Sequence, residues 1–227
     1  MPEKQLFDSW PDRYNDWFTT PIGKLVLETE SELVMKFVNP APGEAILDAG
    51  CGTGIFTTDF LTDGALVTGL DISHQMLVGA NRKIGDYPFS AVQADMVFLP
   101  FKDNSFDKSV SITALEFIED ARTAVNELFR VTRPGGSVVV ATLNSLSPWA
   151  VRRGDKTIKG EGHILENAFY RSPGDLLSLS PLKGETGTAV HFLNDDDPSE
   201  AVKIEHQGRT EKLDSGALVA VRWIKPL

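Results

Sequence analysis

From Glu44 to Asn144 short apolar runs alternate with amphipathic runs at a regular spacing, and this rhythm restricts the possible folds more than any compositional figure. EAILDA (44–49) reads as a strand, IFTTDFLTD (55–63) as a helix, ALVTGLDI (65–72) as a strand and SHQMLVGANRKI (73–84) as a helix capped by Ser73. FSAVQAD (89–95) and FDKSVSIT (106–113) read as further strands, and DARTAVNELFRVT (120–132) as an amphipathic helix stopped by Arg133-Pro134-Gly135-Gly136. SVVVATLN (137–144) is the most apolar strand of all. Strands that alternate with helices belong in a parallel sheet covered on both faces, so an α/β three-layer fold is expected.

Outside this stretch the pattern is looser. Phe7, Trp10, Tyr14, Trp17 and Phe18 fall at helical spacing near the N-terminus, and TESELVMKFV (29–38) has helical periodicity that ends at Asn39-Pro40-Ala41-Pro42-Gly43. Beyond Asn144, SLSPWAVRRGDKTIKGEGH reads as a connection with local positive charge, and SPGDLLSLS (172–180) opens with a Ser-Pro helix start. GTAVHFL (187–193) and ALVAVRWI (217–224) read as late strands. The polar stretch between them shows no helical pattern, which suggests an antiparallel pair closing one sheet edge. Asp195, Asp196 and Asp197 within it read as a solvated loop rather than a metal site. The expected organisation is one domain, 1–227, in three parts: an N-terminal helical segment (1–43), a cofactor-binding core (44–144) and a variable substrate-side segment with the last two strands (145–227).

Composition disfavours several classes of function. A net charge of −10 repels a phosphate backbone, so no nucleic-acid partner is expected. One cysteine cannot form an internal disulfide, and four scattered histidines make no zinc signature, so no metal is expected. No apolar run reaches the roughly 18 residues of a membrane span, and MPEKQLFDSW lacks the apolar core of a signal peptide. The expected location is cytoplasmic, and the sequence is silent on oligomeric state.

The first strand runs into Asp48-Ala49-Gly50-Cys51-Gly52-Thr53-Gly54, a glycine-rich turn that leads into a helix. Such turns present backbone N–H groups and a helix N-terminus to a ligand at the carboxyl end of the strand. The dinucleotide fingerprint G-x-G-x-x-G is not met, because the third glycine comes one place early, and no G-K-[ST] follows to make a phosphate loop. This counts against a nicotinamide-dependent oxidoreductase. Asp71 ends the second strand, where a carboxylate can accept from two vicinal ribose hydroxyls, and Asp95 ends the third, within reach of an adenine amino group.

Taken in order, ILDAGCGTG, GLDIS, QADMVFLPFKDNSFDKSVSI and ELFRVTRPGGSVVVATL resemble the successive motifs of class I S-adenosylmethionine-dependent methyltransferases, in particular the small-molecule group that includes the ubiquinone and menaquinone biosynthesis enzymes. The resemblance covers residues 44 to 144. It implies a Rossmann-like, seven-stranded, mostly parallel sheet of order 3-2-1-4-5-7-6 with an antiparallel seventh strand and an N-terminal helical lid. It also implies S-adenosylmethionine as cofactor, S-adenosylhomocysteine as product and a small-molecule methyl acceptor. Asp48, Gly50, Cys51, Gly52, Thr53 and Gly54 would surround the methionine moiety and Asp71 the ribose. Ile72 and Met76 would flank the adenine, Asp95 and Met96 would meet its polar edge, and Thr113 and Ala114 would line the floor near the sulfonium.

The activated methyl needs mainly alignment and exclusion of water, so catalysis leaves little trace in sequence. Glu116, after the fourth strand, and His163 are the general-base candidates. Tyr14, Trp17, Phe18 and Trp149 are the acceptor-pocket candidates, with Arg152 and Arg153 nearby; core packing accounts for the aromatics as well, and a solvated loop for the arginines. Cys51 reads as a small filler, since no base adjoins it. A non-catalytic module that binds the same cofactor is the alternative from another class.

Overall fold

The computed structural model describes Phe7, residues 16–154, Leu165 and residues 168–227. Tyr14 and His163 lie outside the described residues.

The chain enters the sheet from an eighteen-residue helix, α1 (Pro21–Val38), which begins well before the expected Thr29. Its start is dictated locally. Thr20 is extended and accepts the Gly23 N–H at 3.0 Å, while Pro21 occupies the first helical position, where its missing N–H leaves no bond unmade. Asn39 ends the helix in the left-handed region with its N–H on the Met35 carbonyl.

There follow β1 (Ala45–Ala49), α2 (Thr57–Thr62), β2 (Leu66–Asp71), α3 (His74–Ile84), β3 (Phe89–Gln93), β4 (Phe106–Ile112), a single 3₁₀ turn (Leu115–Phe117), α4 (Ala121–Val131) and β5 (Thr132–Leu143). The remaining elements are α5 (Pro148–Gly154), α6 (Pro173–Leu177), β6 (Gly184–Ala189), α7 (Pro198–Glu211) and β7 (Leu218–Ile224). Seven strands form one sheet in the order β3-β2-β1-β4-β5-β7-β6. Strands β1 to β5 pair in parallel, and β7 runs antiparallel to both β5 and β6. This is the sheet the sequence resemblance implies.

Both faces of the central strands are buried, and consecutive residues of one strand feed opposite cores. Ile46, Val139 and Ala220 pack with α1, α2 and α3 through Phe37, Phe60 and Ile84. Leu47, Val138, Val140, Val219 and Val221 pack on the other face with α4 and α6 through Leu128 and Leu176. A third cluster joins Val26 of α1 to Phe192, Ala201 of α7 and Ala217.

Two expectations at the C-terminal side are corrected. The strand expected at 187–193 is β6 at Gly184–Ala189, because Val190 takes a positive φ of 65° and turns the chain out of the ladder. Gly187 sits at its centre, where an added Cβ would come within 3.0 Å of the Phe37 ring; the strand is therefore glycine-rich and polar where periodicity would demand apolar residues. The second correction concerns the connection to β7, which holds the fourteen-residue helix α7 where a polar stretch without helical character was expected. Asp197 caps it by accepting the Ser199 N–H at 2.9 Å, and Pro198 takes the first position. The three aspartates thus have separate structural tasks. Asp195 pairs with Arg152 at 2.6 Å, Asp196 accepts the Leu193 N–H at 2.7 Å, and Asp197 is the cap.

Candidate functional site

The ends of β1, β2 and β4 meet at the glycine turn, and each of the three glycines there has its own reason. All have positive φ, at 80° for Gly50, 54° for Gly52 and 77° for Gly54, a region that side chains disfavour. A Cβ on Gly50 would lie 2.3 Å from the Cβ of Ala114 and 3.1 Å from Cε of Met96, so the absence of a side chain lets three expected site residues close on one another. A Cβ on Gly54 would strike Ile84 at 2.9 Å, which makes this glycine a packing requirement between turn and α3. A Cβ on Gly52 would meet nothing within 4 Å among the described residues, so the main chain there borders open space.

Asp71 shapes that open stretch. One carboxylate oxygen accepts the Gly52 N–H at 2.9 Å and the other accepts the Ser73 N–H at 2.8 Å, which ties the turn after β1 to the turn after β2. Backbone bonds from the Gly50 and Cys51 N–H groups to the Leu70 carbonyl, at 2.6 and 3.0 Å, complete the tie. Ser73 then caps α3 through the Met76 N–H. Asp48 lies beneath, only 2% exposed, with its carboxylate accepting the Thr57 hydroxyl at 2.6 Å. Burial pushes its carboxyl up to about 6, a direction the Thr57 bond opposes and the nearby Asp71 charge reinforces. Burial, with the charges of Asp48 and Asp71, also pushes the Cys51 thiol well above its ordinary range, so Cys51 is an inert filler of the turn.

The rim toward β3 is more open. Ile72 is exposed, Met76 and Met96 are buried, and the Gln93 side chain donates to the Ile72 carbonyl at 3.0 Å, joining the ends of β2 and β3. Asp95 is exposed and accepts the Val97 N–H at 3.0 Å, an Asx turn that presents Met96 inward toward Gly50.

At the end of β4, Thr113 has a φ of 48°. For a β-branched residue this is an outlier, a conformation that costs on the order of 1–3 kcal/mol and persists where surroundings hold it. Here its N–H is held by the Ala141 carbonyl at 2.9 Å, and the next residue, Ala114, is locked against Gly50. Nothing in the residue type signals this strain. Glu116 follows on the 3₁₀ turn, 1% exposed, accepting the Thr142 hydroxyl of β5 at 3.0 Å.

The sheet continues past β4 in a way the sequence did not announce. The Phe169 N–H donates to the Glu116 carbonyl at 2.7 Å, the Arg171 N–H to the Leu143 carbonyl at 3.1 Å, and the Ser145 N–H to the Arg171 carbonyl at 3.3 Å. Residues 169–171 therefore lie in the gap left where β4 turns away, and Ser172 immediately caps α6 with a full capping box. The Ser-Pro helix start marks where this piece ends; its pairing with β5 has no local signature.

Trp17 and Trp149 meet edge to face with centroids 6.5 Å apart, and the Trp149 indole donates to the Phe192 carbonyl at 2.6 Å. Phe18 and Trp149 pack against the third core cluster. Phe7 instead meets Phe117 at 4.8 Å, beside Glu116.

A mostly parallel sheet with a glycine turn and an acidic second-strand end is the arrangement in which α/β folds receive nucleoside ligands. The methyltransferase domain family matches residues 47–140. A malonyl-[acyl-carrier protein] O-methyltransferase of Buchnera aphidicola is 43% identical over 126 residues, covering 55% of this chain and 49% of that protein. A demethylmenaquinone methyltransferase of Clavibacter sepedonicus is 39% identical over 118 residues, covering 52% and 48%. The chain thus spans about half the length of these curated relatives. A solved structure of an S-adenosylmethionine-dependent methyltransferase of Thermotoga maritima, described as a possible histamine N-methyltransferase, superposes with a TM-score of 0.74. It is 22% identical and covers 97% of this chain and 98% of that one. Residues 47–140 thus match a methyltransferase domain, and the fold is shared with solved S-adenosylmethionine-dependent methyltransferases. Among the described residues no group of three or more His, Cys, Asp or Glu side chains could hold a metal, and no helix is long and apolar enough to cross a membrane.

Proposed function

We propose that this chain binds S-adenosylmethionine along the carboxyl ends of β1, β2 and β4 and transfers its methyl group to a small-molecule acceptor. The observation that carries the reading is the open main chain at Gly52, braced by Asp71 while the neighbouring glycines are filled by packing. When bound, the cofactor supplies a methyl carbon already activated by a positively charged sulfur and departs as neutral S-adenosylhomocysteine.

Asp71 is assigned to the ribose hydroxyls, because a carboxylate offers about four acceptor sites and its two bonds to Gly52 and Ser73 leave its position fixed at the turn. Ile72 and Met76 flank the adenine, with Asp95 and Met96 at its edge. Gly50, Cys51, Gly52, Thr53 and Gly54, over Asp48, form the methionine end, and Thr113 and Ala114 the floor. Glu116 takes the proton of the acceptor. The named relatives methylate a carrier-bound malonyl group and a demethylmenaquinone, so a malonyl-type carboxyl and a quinone are the acceptors to try first.

Calorimetry with S-adenosylmethionine, S-adenosylhomocysteine and NAD tests the cofactor assignment, and Asp71→Ala is expected to weaken S-adenosylmethionine binding by on the order of 1–3 kcal/mol. Binding of NAD alone, or unchanged affinity in the folded variant, refutes it. Methyl-labelled cofactor incubated with malonyl-acyl carrier protein, demethylmenaquinone and a metabolite extract tests turnover. Binding without labelled product from any of these moves the reading to a cofactor-binding module.

A further inference from the structure

The His191 side chain is buried, only 3% exposed, next to Val190, whose positive φ ends β6. Its ring lies against the main chain of α7, where a Cβ on Gly208 would stand 2.3 Å from it. Among the described residues both ring nitrogens face oxygens. Nδ1 meets the Glu205 carboxylate at 2.9 Å, and the same oxygen accepts the His191 N–H at 2.8 Å. Nε2 meets the Thr188 hydroxyl at 3.2 Å and the Leu213 carbonyl at 3.3 Å.

The hydrogens of this cluster can be counted. The Thr188 hydroxyl has one, and it donates to the Leu213 carbonyl at 2.5 Å. Nε2 therefore meets two acceptors and no donor, while Nδ1 meets a carboxylate. Turning the hydroxyl to Nε2 instead would leave the Thr188 and Leu213 oxygens opposed at 2.5 Å with no hydrogen between them. A neutral imidazole carries one N–H and one lone pair, so in either tautomer one nitrogen would aim its lone pair at an oxygen. The imidazolium, with a hydrogen on each nitrogen, leaves none opposed.

The charges agree with that count. Glu205 also accepts Arg209 Nε at 2.7 Å, and the far end of Arg209 donates to Glu32 of α1 at 2.5 Å. Burial pushes the Glu205 carboxyl up, but bonds from His191 and Arg209 outweigh it and hold it below its usual value. Two cations thus face two carboxylates across α1 and α7. From β6 and the turn after α7 come only the neutral Thr188 hydroxyl and Leu213 carbonyl. His206, Lys212 and Asp214, near in sequence, are exposed, and α1 also buries Glu30.

We infer that His191 is a pH-sensitive latch: its imidazolium ties the end of β6 to α7 through Glu205 and to the turn after α7 through Leu213, and loss of one ring proton opens one side of the bridge. Histidine is the side chain whose charge changes nearest neutral pH. The neutral ring keeps one side only and turns a buried lone pair on an oxygen, a defect that costs as an unsatisfied buried group does. What the latch contributes is present while the ring is charged and is lost as pH rises through its titration. The device is independent of the cofactor and acceptor assignments.

The test follows ring and helix together. In the full chain with ¹⁵N-labelled histidine, the ring nitrogens are observed by NMR from about pH 5 to about 9, with His74→Gln, His163→Gln and His206→Gln used to assign the remaining ring to His191. Amide hydrogen exchange of α7, corrected for its intrinsic rise with pH, is measured over the same range with the amides of α4 as reference. Protection of α7 is expected to fall about tenfold or more across the interval in which the His191 ring loses its proton, while that of α4 holds. His191→Gln, which carries no charge at any pH, is expected to show the low α7 protection throughout; if it does not fold, the wild-type titration decides alone. Unchanged α7 protection while the ring titrates overturns the inference. A ring that keeps one charge state over the whole range, neutral or cationic, overturns it as well.

Discussion

The glycine turn after β1 and the insertion between β6 and β7 are both rich in carboxylates and treat them in opposite ways. At the turn, Asp48 is buried beside Asp71 and its carboxyl is pushed up. In and around α7, the Arg152 bond lowers Asp195 and the Ser199 bonds lower Asp197. Glu205 is also lowered, where bonds from His191 and Arg209 outweigh its burial. The insertion uses acids as fasteners between elements; the turn holds Asp48 at a disadvantage. Unfavourable electrostatics gathered at one end of a sheet is what a binding site looks like before its ligand arrives, and relieved electrostatics is what a scaffold looks like.

The contrast can be broken most sharply at the glycines. Gly50→Ala is expected to destabilise the fold by about 1–3 kcal/mol through overpacking on Ala114, with about 1–2 kcal/mol more from its positive φ. Gly52→Ala carries only the backbone penalty, since nothing lies within 4 Å, yet is expected to lose at least tenfold in S-adenosylmethionine affinity. Urea denaturation and calorimetry on both variants check this, and equal stability losses would remove the distinction between packing and cradle.

Asp48 tests the electrostatic half. A carboxyl raised to about 6 in the folded chain binds a proton there that the unfolded chain has released, so stability falls as pH rises from about 4 to about 6 and stays lower above. Asp48→Asn keeps an acceptor for the Thr57 hydroxyl and drops the charge. It is expected to be more stable than wild type by on the order of 3 kcal/mol at pH 7 and indistinguishable from it near pH 3. A gain that is the same at every pH would show that the turn holds no unfavourable charge. The smallest effect belongs to the insertion's rim: Arg152→Ala breaks an exposed pair with Asp195, and no measurable change in the urea midpoint is expected in moderate salt. A clear loss there would mean that α5 depends on the insertion for its place.

The same two regions differ in how far the sequence revealed them. Strands β1 to β5 were legible because short runs with apolar residues recur between local cues: Ser73 before α3, Asp120 before α4, glycine after β1. The positions of Gly50, Ala114 and Met96 could be listed from motif order, but their mutual contact required the fold. Helix α7 escaped because its inward face is Ala201, Glu205 and Gly208, with no large apolar side chain to set a period. Asp197-Pro198-Ser199-Glu200 was the signal that could have found it, as a cap, a proline at the first position and an acid in the first turn. Strand β6 was displaced in the reading by the apolar run AVHFL, which serves the third core cluster instead. Arg171 and the strain at Thr113 depend on partners more than 25 residues away, and periodicity does not carry that kind of information.

The place of β7 in the sheet has a consequence for the order in which the molecule assembles. Among the described residues strand β6 has no ladder partner except β7, which comes later in the chain and is separated from it by α7. However early residues 184–189 are made, they must wait, unzipped, for residues 218–224, and a non-local closure of this kind comes late in folding. During that wait an apolar strand would be an aggregation hazard, and GETGTA, with two glycines, a glutamate and no large apolar side chain, is a poor template for a passing chain.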